Sequence, residues 1–570
     1  MAHLYKKVKK GREYFYIRET QRVYGKPTTV NQVYLGTADK VQALLEGQDE
    51  KAREGFSPKE FGSIFVLNEI DRNLDLTGLV DELLPPKKRT KGPSLGDLFF
   101  YAALNRAIDP TSKRKLAAWY ESTDILRVRP VRLESLSSQN FWNHWNRISE
   151  ENLEEIIHRF FQRVHAQLPD KKENFLLEIT SYSSTSTAPD DAPLSGKRKG
   201  AKAPHQFWLA LITERSTGVP IYYQIITKAI QESESLEPVF KNMLAQVEDM
   251  GIEVKDLTVI LGKGTDTPSL IDLVDSQKDL HLIAAYPPDF LPELTTVPLE
   301  DFWTLPCKYN RRLLAEGTPE NQILYYETQA SVWGRSHKVA ITYDPRTFAS
   351  EHEKFQEKIQ KVRQEFANLE RKWGQGELPE EDPQSLEAYL LQICQYLQLR
   401  PDLFKLSFGK EGGAPTMSLA LQEQVVEEVA RGLGKTILVT DHKDWSGEEI
   451  SEANIDRCIV EEQIRQTGIT LQEVLLPQYH WTESKLRVNI FVCMVALSYL
   501  ILLCMRLNQA GLLASPKEVM EELRNLRTAV FWHPEDKKLK RRLVPPNDLQ
   551  LAILQALGFK VEEGKVIPAK

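Results

Sequence analysis

Apolar residues recur at helical spacing between residues 61 and 165. Ile64, Leu67 and Ile70, for example, stand three residues apart, which places them on one face of a helix. A basic, proline-containing loop at 85–89 interrupts this pattern. We therefore predict a helical region over residues 59–170.

The pattern changes to short apolar segments joined by turns between residues 174 and 289. It predicts strands at 175–179, 207–213, 221–227, 257–261 and 280–285, with a helix at 233–250. An antiparallel meander that leads into strand and helix units is typical of a mixed sheet covered by helices. The predicted fold class is therefore mixed α/β.

An apolar seam then recurs with alternating steps of four and three residues, formed by Phe355, Ile359, Val362, Phe366, Leu369 and Trp373. Such spacing indicates one long helix with a continuous apolar stripe. A second amphipathic stretch begins near Leu386, after the acidic linker at 377–382. We favour a helical hairpin packed on itself over an oligomerising coiled coil, and we expect a helical insertion at 346–432.

Residues 490–505 form the one membrane-like segment, sixteen uncharged residues closed by Arg506. A helix that crosses a membrane needs about 18 or more apolar residues. We predict a buried core helix here, preceded by a strand at 436–440 and a helix at 448–466.

The amino-terminal residues combine basic and aromatic side chains. A basic run at 6–12 is followed by Tyr14, Tyr16 and Arg18 in alternation and by a turn at 24–27. Alternation followed by a turn predicts a small basic β-hairpin module over residues 1–58.

Composition limits the functional classes. The chain has 570 residues, of which 41% are hydrophobic and 27% charged, as in ordinary globular proteins. Its formal net charge of -7 argues against binding to polyanions over the whole surface, so local basic patches matter more. Five separated cysteines support neither a zinc site nor a disulfide framework, and the first residues lack an apolar signal core. We expect a cytoplasmic protein with no membrane partner.

The stretch at 259–265 reads as an apolar strand that runs into Gly262-Lys263-Gly264. A phosphate-binding loop needs a further glycine at a fixed distance before the lysine, and this stretch lacks it. A second candidate, at 434–436, has Val429 where that glycine should stand. Both are interpreted as turns.

Three stretches resemble bacterial insertion-sequence transposases of the DDE type, in the branch called the IS-four class. They are Leu104-Asn105-Arg106 with Pro110-Thr111-Ser112-Lys113 and Trp119, then Glu178-Ile179-Thr180-Ser181, and last Tyr479-His480-Trp481-Thr482-Glu483 with Arg487, Ile490 and Phe491. The resemblance implies a ribonuclease H-like mixed sheet with flanking helices, a helical amino-terminal region and a helical insertion before the last catalytic helix. It also implies strand cleavage and transfer by two divalent ions held between three carboxylates.

Carried over to this chain, the resemblance assigns the catalytic positions to Glu178, Gly262 and Glu461. Glu178 stands where the family has aspartate, and Gly262 leaves the second position without a carboxylate. Glu461 has Arg457 one turn before it, as in the family, whereas the positions of the family's tyrosine and lysine hold Asn454 and Gly468. The implied metal ligands are Glu178 and Glu461, with Mg²⁺ or Mn²⁺ as cofactor if the protein is active and none otherwise.

The nucleic-acid contacts implied for the site come from a basic loop and from helices, namely Lys197, Arg198, Lys199, Lys202, Arg457, Arg465 and Arg487. Further basic clusters occur at the amino-terminal lysines, 6–10, and at 113–115, 127–132 and 537–542. Because each neutralised phosphate releases counterions, binding through such clusters should weaken steeply with salt. The expected partner is double-stranded DNA with terminal inverted repeats, and a homodimer stays open.

The domain boundaries that follow are 1–58, 59–170, 171–345 for the first part of the core, 346–432, 433–515 for its second part, and 516–570 for a tail region. The leading hypothesis is a transposase-like DNA-binding protein whose strand cleavage and transfer are impaired or lost. One alternative is a non-catalytic DNA-binding regulator or decayed copy derived from a transposase. Another is a protein-interaction scaffold that uses the heptad helix.

Overall fold

The computed structural model describes residues 2–9, 11–23, 26–39, 41, 58–86, 92–168, 175–184, 205–215, 217–227, 237–252, 257–261, 280–332, 334–374, 383–411, 414–466, 483–512, 516–533 and 538–569. The chain divides into two compact units. The first unit comprises Met1–Leu257 and Arg457–Lys570, and the second comprises Thr258–Asp456.

Within the described residues, the strands in chain order are β1 (Ala2–Lys9), β2 (Arg12–Val23), β3 (Lys26–Gly36), β4 (Lys59–Glu60), β5 (Phe175–Ser184), β6 (His205–Glu214), β7 (Pro220–Thr227), β8 (Leu257–Leu261), β9 (Leu280–Tyr286), β10 (Trp303–Thr304), β11 (Leu324–Val332), β12 (Arg335–Tyr343), β13 (Phe404–Glu411), β14 (Ala414–Leu421), β15 (Lys435–Thr440), β16 (Arg527–His533), β17 (Lys538–Leu543), β18 (Phe559–Glu562) and β19 (Lys565–Pro568).

The α-helices of the same residues are α1 (Gly62–Leu74), α2 (Leu76–Leu83), α3 (Leu95–Ile108), α4 (Leu116–Glu121), α5 (Ile125–Val128), α6 (Ser138–Trp145), α7 (Glu150–His165), α8 (Glu237–Asp249), α9 (Pro292–Thr295), α10 (Lys308–Ala315), α11 (Pro345–Gly374), α12 (Pro383–Leu397), α13 (Glu423–Gly432), α14 (Gly447–Gln466), α15 (Glu483–Gln509), α16 (Pro516–Asn525) and α17 (Asp548–Ala556). Short 3-10 helices occur at Leu133–Leu136, Pro288–Phe290, Leu299–Asp301, Pro319–Asn321 and Pro401–Leu403.

The amino-terminal part of the first unit is a three-stranded antiparallel sheet in the order β1, β2, β3. Gly11 lies between β1 and β2 with a φ of 77°, a left-handed conformation that glycine adopts without steric cost. The sequence predicted a hairpin, and the structure adds β3 as a third strand. Cross-strand pairs of tyrosines join all three strands, which favours the larger sheet.

Helices α1 to α7 confirm the helical region that the periodicity predicted. Ser94, Ser137 and Ser149 precede α3, α6 and α7, and each accepts a hydrogen bond from a backbone N–H three residues later. Such caps satisfy N–H groups that the first turn of a helix leaves without a partner. The helical starts are therefore encoded locally, whereas the packing of the helices depends on their apolar faces.

Helix α15 is the most apolar element of the first unit. Its segment Leu486–Gln509 is long and apolar enough to cross a membrane, and its most apolar 18 residues are all buried inside the protein. A helix that is apolar on every side is stable in water only when other elements surround it. The predicted buried core helix is thus confirmed, with α3 and α7 packed against it.

The first unit also contains an antiparallel meander, in which β5 pairs with β6 and β6 pairs with β7. These strands confirm the segments predicted at 175–179, 207–213 and 221–227. Helices α7 and α8 pack against β7. After α16, the chain adds β16, which pairs with both β17 and β4, so residues 516–569 are not a plain tail.

The second unit is built on strands in the order β10, β11, β12, β15, β9, β8. Neighbours from β10 to β9 are antiparallel. The predicted strands at 257–261, 280–285 and 436–440 correspond to β8, β9 and β15. The two units together make the chain mixed α/β, as the sequence predicted.

The insertion in the second unit differs from its prediction in one respect. Its heptad residues pack against α12 in one buried cluster, which includes Phe355, Ile359, Val362, Phe366, Leu386 and Leu390. This packing confirms the helical hairpin. The insertion is not purely helical, because β13 and β14 pair there and Met417 of β14 joins the same cluster. Apolar residues at alternate positions of these strands cover the seam, and the sequence analysis did not detect that alternation.

Candidate functional site

The three positions that the resemblance assigns to catalysis fall on or next to regular elements. Glu178 lies on β5, where its backbone is paired with Leu211 of β6. Position 262 follows directly after β8, and Glu461 lies on α14. Gly262 itself and the side chains of Glu178 and Glu461 lie outside the described residues. Their catalytic and metal-binding roles therefore stay predictions.

The predicted nucleic-acid contacts divide in the same way. Lys197, Arg198, Lys199 and Lys202 lie outside the described residues, as do the side chains of Arg457 and Arg465 on α14. The structure does describe the side chain of Arg487 on α15. Its Nη1 lies 2.8 Å from Oε1 of Glu150. Glu150 is the first residue of α7, so the ion pair joins two helices of the core.

Two of the stretches that carry the resemblance meet in the helical core of the first unit. Asn105 on α3 is buried, and its amide donates to the carbonyl of Asp109 at 2.8 Å. Phe491 on α15 contacts Phe99 of α3 and Phe160 of α7, with ring centroids 5.5 and 5.6 Å apart. These contacts give both stretches a structural role, since they fix the loop after α3 and pack α15 between two helices.

Lys113 also turns inward, although the sequence places it in a basic cluster. Its ammonium lies 4.3 Å from the ring centroid of Trp145. Burial, together with the charge of Arg106, lowers the pKa of Lys113 to about 7. A cation of this kind loses charge near neutral pH. Its exposed neighbours, Arg114 and Lys115, remain available to solvent.

Arg129, from the basic cluster at 127–132, is held by carboxylates inside the first unit. Its guanidinium lies 3.1 Å from Asp71 and 3.4 Å from Asp97, and it also bonds to Thr77. The hydroxyl of Tyr499 on α15 donates to Asp71 at 2.6 Å. This network ties α1, α3 and α15 to the loop that carries Arg129, so the arginine serves the core rather than the surface.

Arg541, from the basic cluster at 537–542, behaves in the same way. Its guanidinium forms an ion pair with Asp124, and the two side chains are only 12% and 4% exposed. Thr528 completes the group by donating to Asp124 at 2.9 Å. Burial raises the pKa of Asp124, against the charge of Arg541. Thus β16 and β17 are joined to the helical region through a buried charge pair.

A cluster that the sequence analysis missed lies in the second unit, directly after β15. Asp441 accepts a contact from Nδ1 of His281 at 3.0 Å. The ring of His281 stacks on His442 at 4.0 Å, and His442 stacks on Trp445 at 3.9 Å. Nε2 of His442 lies 3.0 Å from the hydroxyl of Thr258 on β8. A carboxylate, two imidazoles and an indole are therefore packed as one group.

The cluster contacts β8 near the start of that strand. Thr258 is near the start of β8, whereas position 262 follows its end. The second oxygen of Asp441 accepts the backbone N–H of Leu282 at 2.7 Å, and Thr440 donates to the carbonyl of Leu282 at 2.6 Å. The cluster consequently fastens the end of β15 to the start of β9. In the sequence, the cluster is indicated by Asp441 and His442, two polar residues directly after β15. The contact with His281 could not be predicted, because His281 is 160 residues away in sequence.

The described residues offer no alternative metal centre. Among them, no group of three or more His, Cys, Asp or Glu side chains is arranged to hold a metal ion. The stacking partners of His281 and His442 occupy ring faces, while the nitrogen contacts go to Asp441 and Thr258. The chemistry that the described part of this site supports is hydrogen bonding between strands.

Comparison with solved structures gives a distant likeness. No family model matches the chain, and no curated protein matches it in sequence. Among solved structures, the chain is similar to the piggyBac transposase in a synaptic complex with hairpin DNA. The two share 9% identity over 82% of this chain and 81% of that one, with a TM-score of 0.32. A TM-score of this size does not establish a common fold, so the function has to be inferred from the chain's own residues.

Proposed function

We propose that the protein is a cytoplasmic, transposase-like DNA-binding protein of the DDE insertion-sequence type, in which strand cleavage and transfer are impaired or lost. The observation that carries the proposal is the order of elements around the three assigned positions. A three-stranded antiparallel meander, β5 to β7, leads into α8 and β8, and an insertion then precedes β15 and α14. This order agrees with a ribonuclease H-like core interrupted before its last catalytic helix.

The elements that carry the assigned positions support the proposal. Glu178 is on the first strand of the meander, position 262 directly follows β8, and Glu461 is on the helix after the insertion. Strand ends and a later helix are suitable elements because carboxylates from them can converge on the same ions. The agreement supports a common ancestry with active DDE enzymes.

The donor set does not fit a pair of divalent ions. Two carboxylates, Glu178 and Glu461, replace the three that the chemistry requires, and glycine at 262 has no side chain. Mg²⁺ prefers several oxygen ligands in a near-octahedral arrangement, which two carboxylates supply only in part. The next residue in the sequence, Lys263, adds a positive charge, which disfavours a bound cation. We therefore derive no cleavage step for this chain.

The scaffold alternative loses its main support. The heptad seam of α11 is covered by α12 and by β14 within the second unit, so it does not offer a free apolar stripe. Exposed apolar side chains do occur on α12, namely Tyr389, Leu391 and Tyr396 at 37%, 53% and 87%. Small numbers of exposed apolar residues are common on soluble proteins.

The test uses duplex DNA that carries the terminal repeats flanking the coding sequence. Fluorescence anisotropy should show binding that weakens steeply with salt, and Mg²⁺ or Mn²⁺ should produce no nicking. Glu178→Asp combined with Gly262→Asp restores three carboxylates and should nick the duplex. Glu178→Asp combined with Gly262→Asn is the matched control, since it has nearly the same shape without the charge, and it should stay inert.

Two results would contradict the proposal. Metal-dependent nicking by the unaltered protein, abolished by Glu461→Ala, would make it an active enzyme with a different ligand set. Absence of salt-sensitive duplex binding in every variant would remove DNA as the partner.

A further inference from the structure

The amino-terminal sheet carries a row of tyrosines on one face. Tyr5 of β1 is paired with Tyr16 of β2, and Tyr16 is paired with Tyr34 of β3. Their ring centroids lie 6.4 and 5.2 Å apart, and Tyr14 lies 6.1 Å from Tyr34. Because residues of a strand alternate between its two faces, these four rings share one face, which we call the tyrosine face.

Four cations of the sheet share this face. Lys7 is paired with Tyr14, and Lys9 is paired with Arg12, so all three cations stand at tyrosine-face positions. Lys7, Lys9 and Arg12 are exposed, and none of them forms an ion pair with another described residue. Arg18 lies over the ring of Tyr5, with Cζ 3.3 Å from its centroid. Four positive charges thus surround the rings.

Carboxylates are confined to the other positions. Residues 2–36 include two acidic residues, Glu13 and Glu19, and both hold the alternate register positions. Glu13 forms an ion pair there with Lys6 at 2.7 Å. Lys6 on one face is therefore paired with a carboxylate. Lys7, Lys9 and Arg12 on the tyrosine face have no carboxylate partner among the described residues.

A purely structural role accounts for only part of this arrangement. Cross-strand aromatic pairs stabilise a small sheet, which explains why the tyrosines touch. Stabilisation does not explain why exposed cations with no carboxylate flank the rings, since like charges on one face oppose folding. Tyr34 is moreover 50% exposed, so much of its ring is left uncovered.

The combination matches the chemistry of single-stranded nucleic acid. Each unpaired base has a π-face that can stack on an aromatic ring, and a basic surface beside the rings attracts the phosphates. In a duplex the bases stack on one another, so their faces are closed to such a surface. Duplex DNA could use the cations of the tyrosine face but not its rings.

We propose that the tyrosine face is a binding site for single-stranded DNA, in which Tyr34 stacks on a base while Lys7, Lys9 and Arg12 contact the backbone. The assignment rests on the proposed function only in naming DNA as the polyanion. The duplex contacts predicted for the catalytic site belong to other segments of the chain, namely the basic loop at 197–202 and Arg457, Arg465 and Arg487.

The experiment uses the full-length protein with fluorescein-labelled oligothymidylate and a duplex of equal length. Tyr34→Ala should weaken binding of the single strand by about 5- to 100-fold, as expected for loss of one stacked base. Tyr34→Phe should keep the affinity and Tyr34→Trp should increase it, because both retain a ring. Duplex binding should change less than twofold in all three variants.

The role of the cations on the tyrosine face is tested by substitution, with Lys6 on the opposite face as the matched control. Replacing Lys7, Lys9 and Arg12 together by alanine should lower the salt slope for the single strand by about 2, since each contact to a single strand contributes roughly 0.7. Lys6→Ala removes a cation that already has a carboxylate partner, and it should leave the slope unchanged. Circular dichroism of each variant checks that the sheet is retained.

Several outcomes would overturn the assignment. Equal affinity of Tyr34→Ala, Tyr34→Trp and the unaltered protein for the single strand would exclude stacking. Equal losses for Lys6→Ala and for the triple variant would exclude the tyrosine face as the charged site. If the protein does not bind duplex DNA but binds the single strand through Tyr34, the proposed function is wrong and this site is still supported. The two failures are therefore distinguishable.

Discussion

Two regions of the first unit contain similar basic runs, yet the structure uses them in opposite ways. Arg129 of the helical region, and Arg541 of β17 packed against it, point inward and meet carboxylates that are at most 15% exposed. In the amino-terminal sheet, Lys7, Lys9 and Arg12 are exposed and meet no carboxylate among the described residues. Each region contains a run of closely spaced cations, at 6–12 in the sheet and at 127–132 in the helical region.

The difference lies in the partners. A cation leaves water only when an opposite charge and hydrogen bonds offset the cost of desolvation. Asp71 and Asp124 supply that offset for the arginines of the helical region, whereas the carboxylates near the sheet belong to other register positions. A basic run thus predicts a nucleic-acid surface only when no buried carboxylate lies within its reach.

The largest expected effect comes from removing the side chain of Asp71, which would disrupt the buried network around Arg129. Asp71→Ala leaves Arg129 buried without its closest carboxylate, and it takes the acceptor from the hydroxyl of Tyr499. Loss of one partner from a buried pair costs about 3 to 5 kcal/mol. Guanidinium unfolding followed by tryptophan fluorescence measures the change.

Two variants on α1 serve as controls for that experiment. Asp71→Asn keeps an acceptor for Tyr499 and should cost less than Asp71→Ala. Arg72→Ala removes a side chain that is 72% exposed from its pair with Glu69, so less than about 1 kcal/mol is expected. An equal cost for Asp71→Ala and Arg72→Ala would mean that the buried network does not stabilise the core.

Lys113 gives a smaller effect, visible as a pH dependence. Its folded-state pKa of about 7 lies below the ordinary lysine value, so between these values the unfolded chain binds the additional proton. Stability should therefore rise with pH above about 7, with a limiting slope of about 1.4 kcal/mol per pH unit. Lys113→Met keeps most of the chain over Trp145 and should remove this contribution.

The comparison for Lys113 is made between pH 7 and 8, below the ordinary pKa of a cysteine thiol. Because burial raises the folded-state pKa of Cys493 to about 11, this thiol then stays largely protonated in both the folded and the unfolded chain. Lys115→Met changes an exposed neighbour and should keep the slope of the unaltered protein. Identical slopes for Lys113→Met and the unaltered protein would show that Lys113 stays charged in the fold.

Local patterns predicted the elements better than they predicted the partners. The periodicity located α1 to α7, the apolar run located α15, and short apolar segments located β5 to β9, because each signal lies within one stretch of sequence. The seam of α11 likewise predicted its packing against α12. The third strand β3 and the hairpin of β13 and β14 were missed, since polar residues and glycines weaken their alternation.

The candidate sites show the same division. The resemblance assigned Glu178, Gly262 and Glu461 from local strings, and no string could say which cations turn inward. His281 and Asp441 are 160 residues apart in sequence, so their contact follows only from the pairing of β9 with β15. Contacts between distant segments depend on sheet register and helix packing, which single stretches do not encode.

Arg487 is both paired and partly exposed, so it is intermediate between the buried arginines and the exposed cations of the sheet. It gives the smallest expected effect. It is 26% exposed, and its partner Glu150 is 63% exposed, so Arg487→Ala should lower the free energy of unfolding by less than about 1 kcal/mol. If Arg487 contacts a phosphate, the ion pair competes with DNA, and Glu150→Ala should tighten duplex binding by up to about threefold while Arg487→Ala weakens it. If Arg487 is purely structural, both variants should show the same stability loss and unchanged affinity for duplex DNA. Anisotropy measurements on the two single variants therefore decide whether Arg487 binds DNA. Unfolding of the single and double variants tests the ion pair itself, because two residues that share an interaction give non-additive losses of stability.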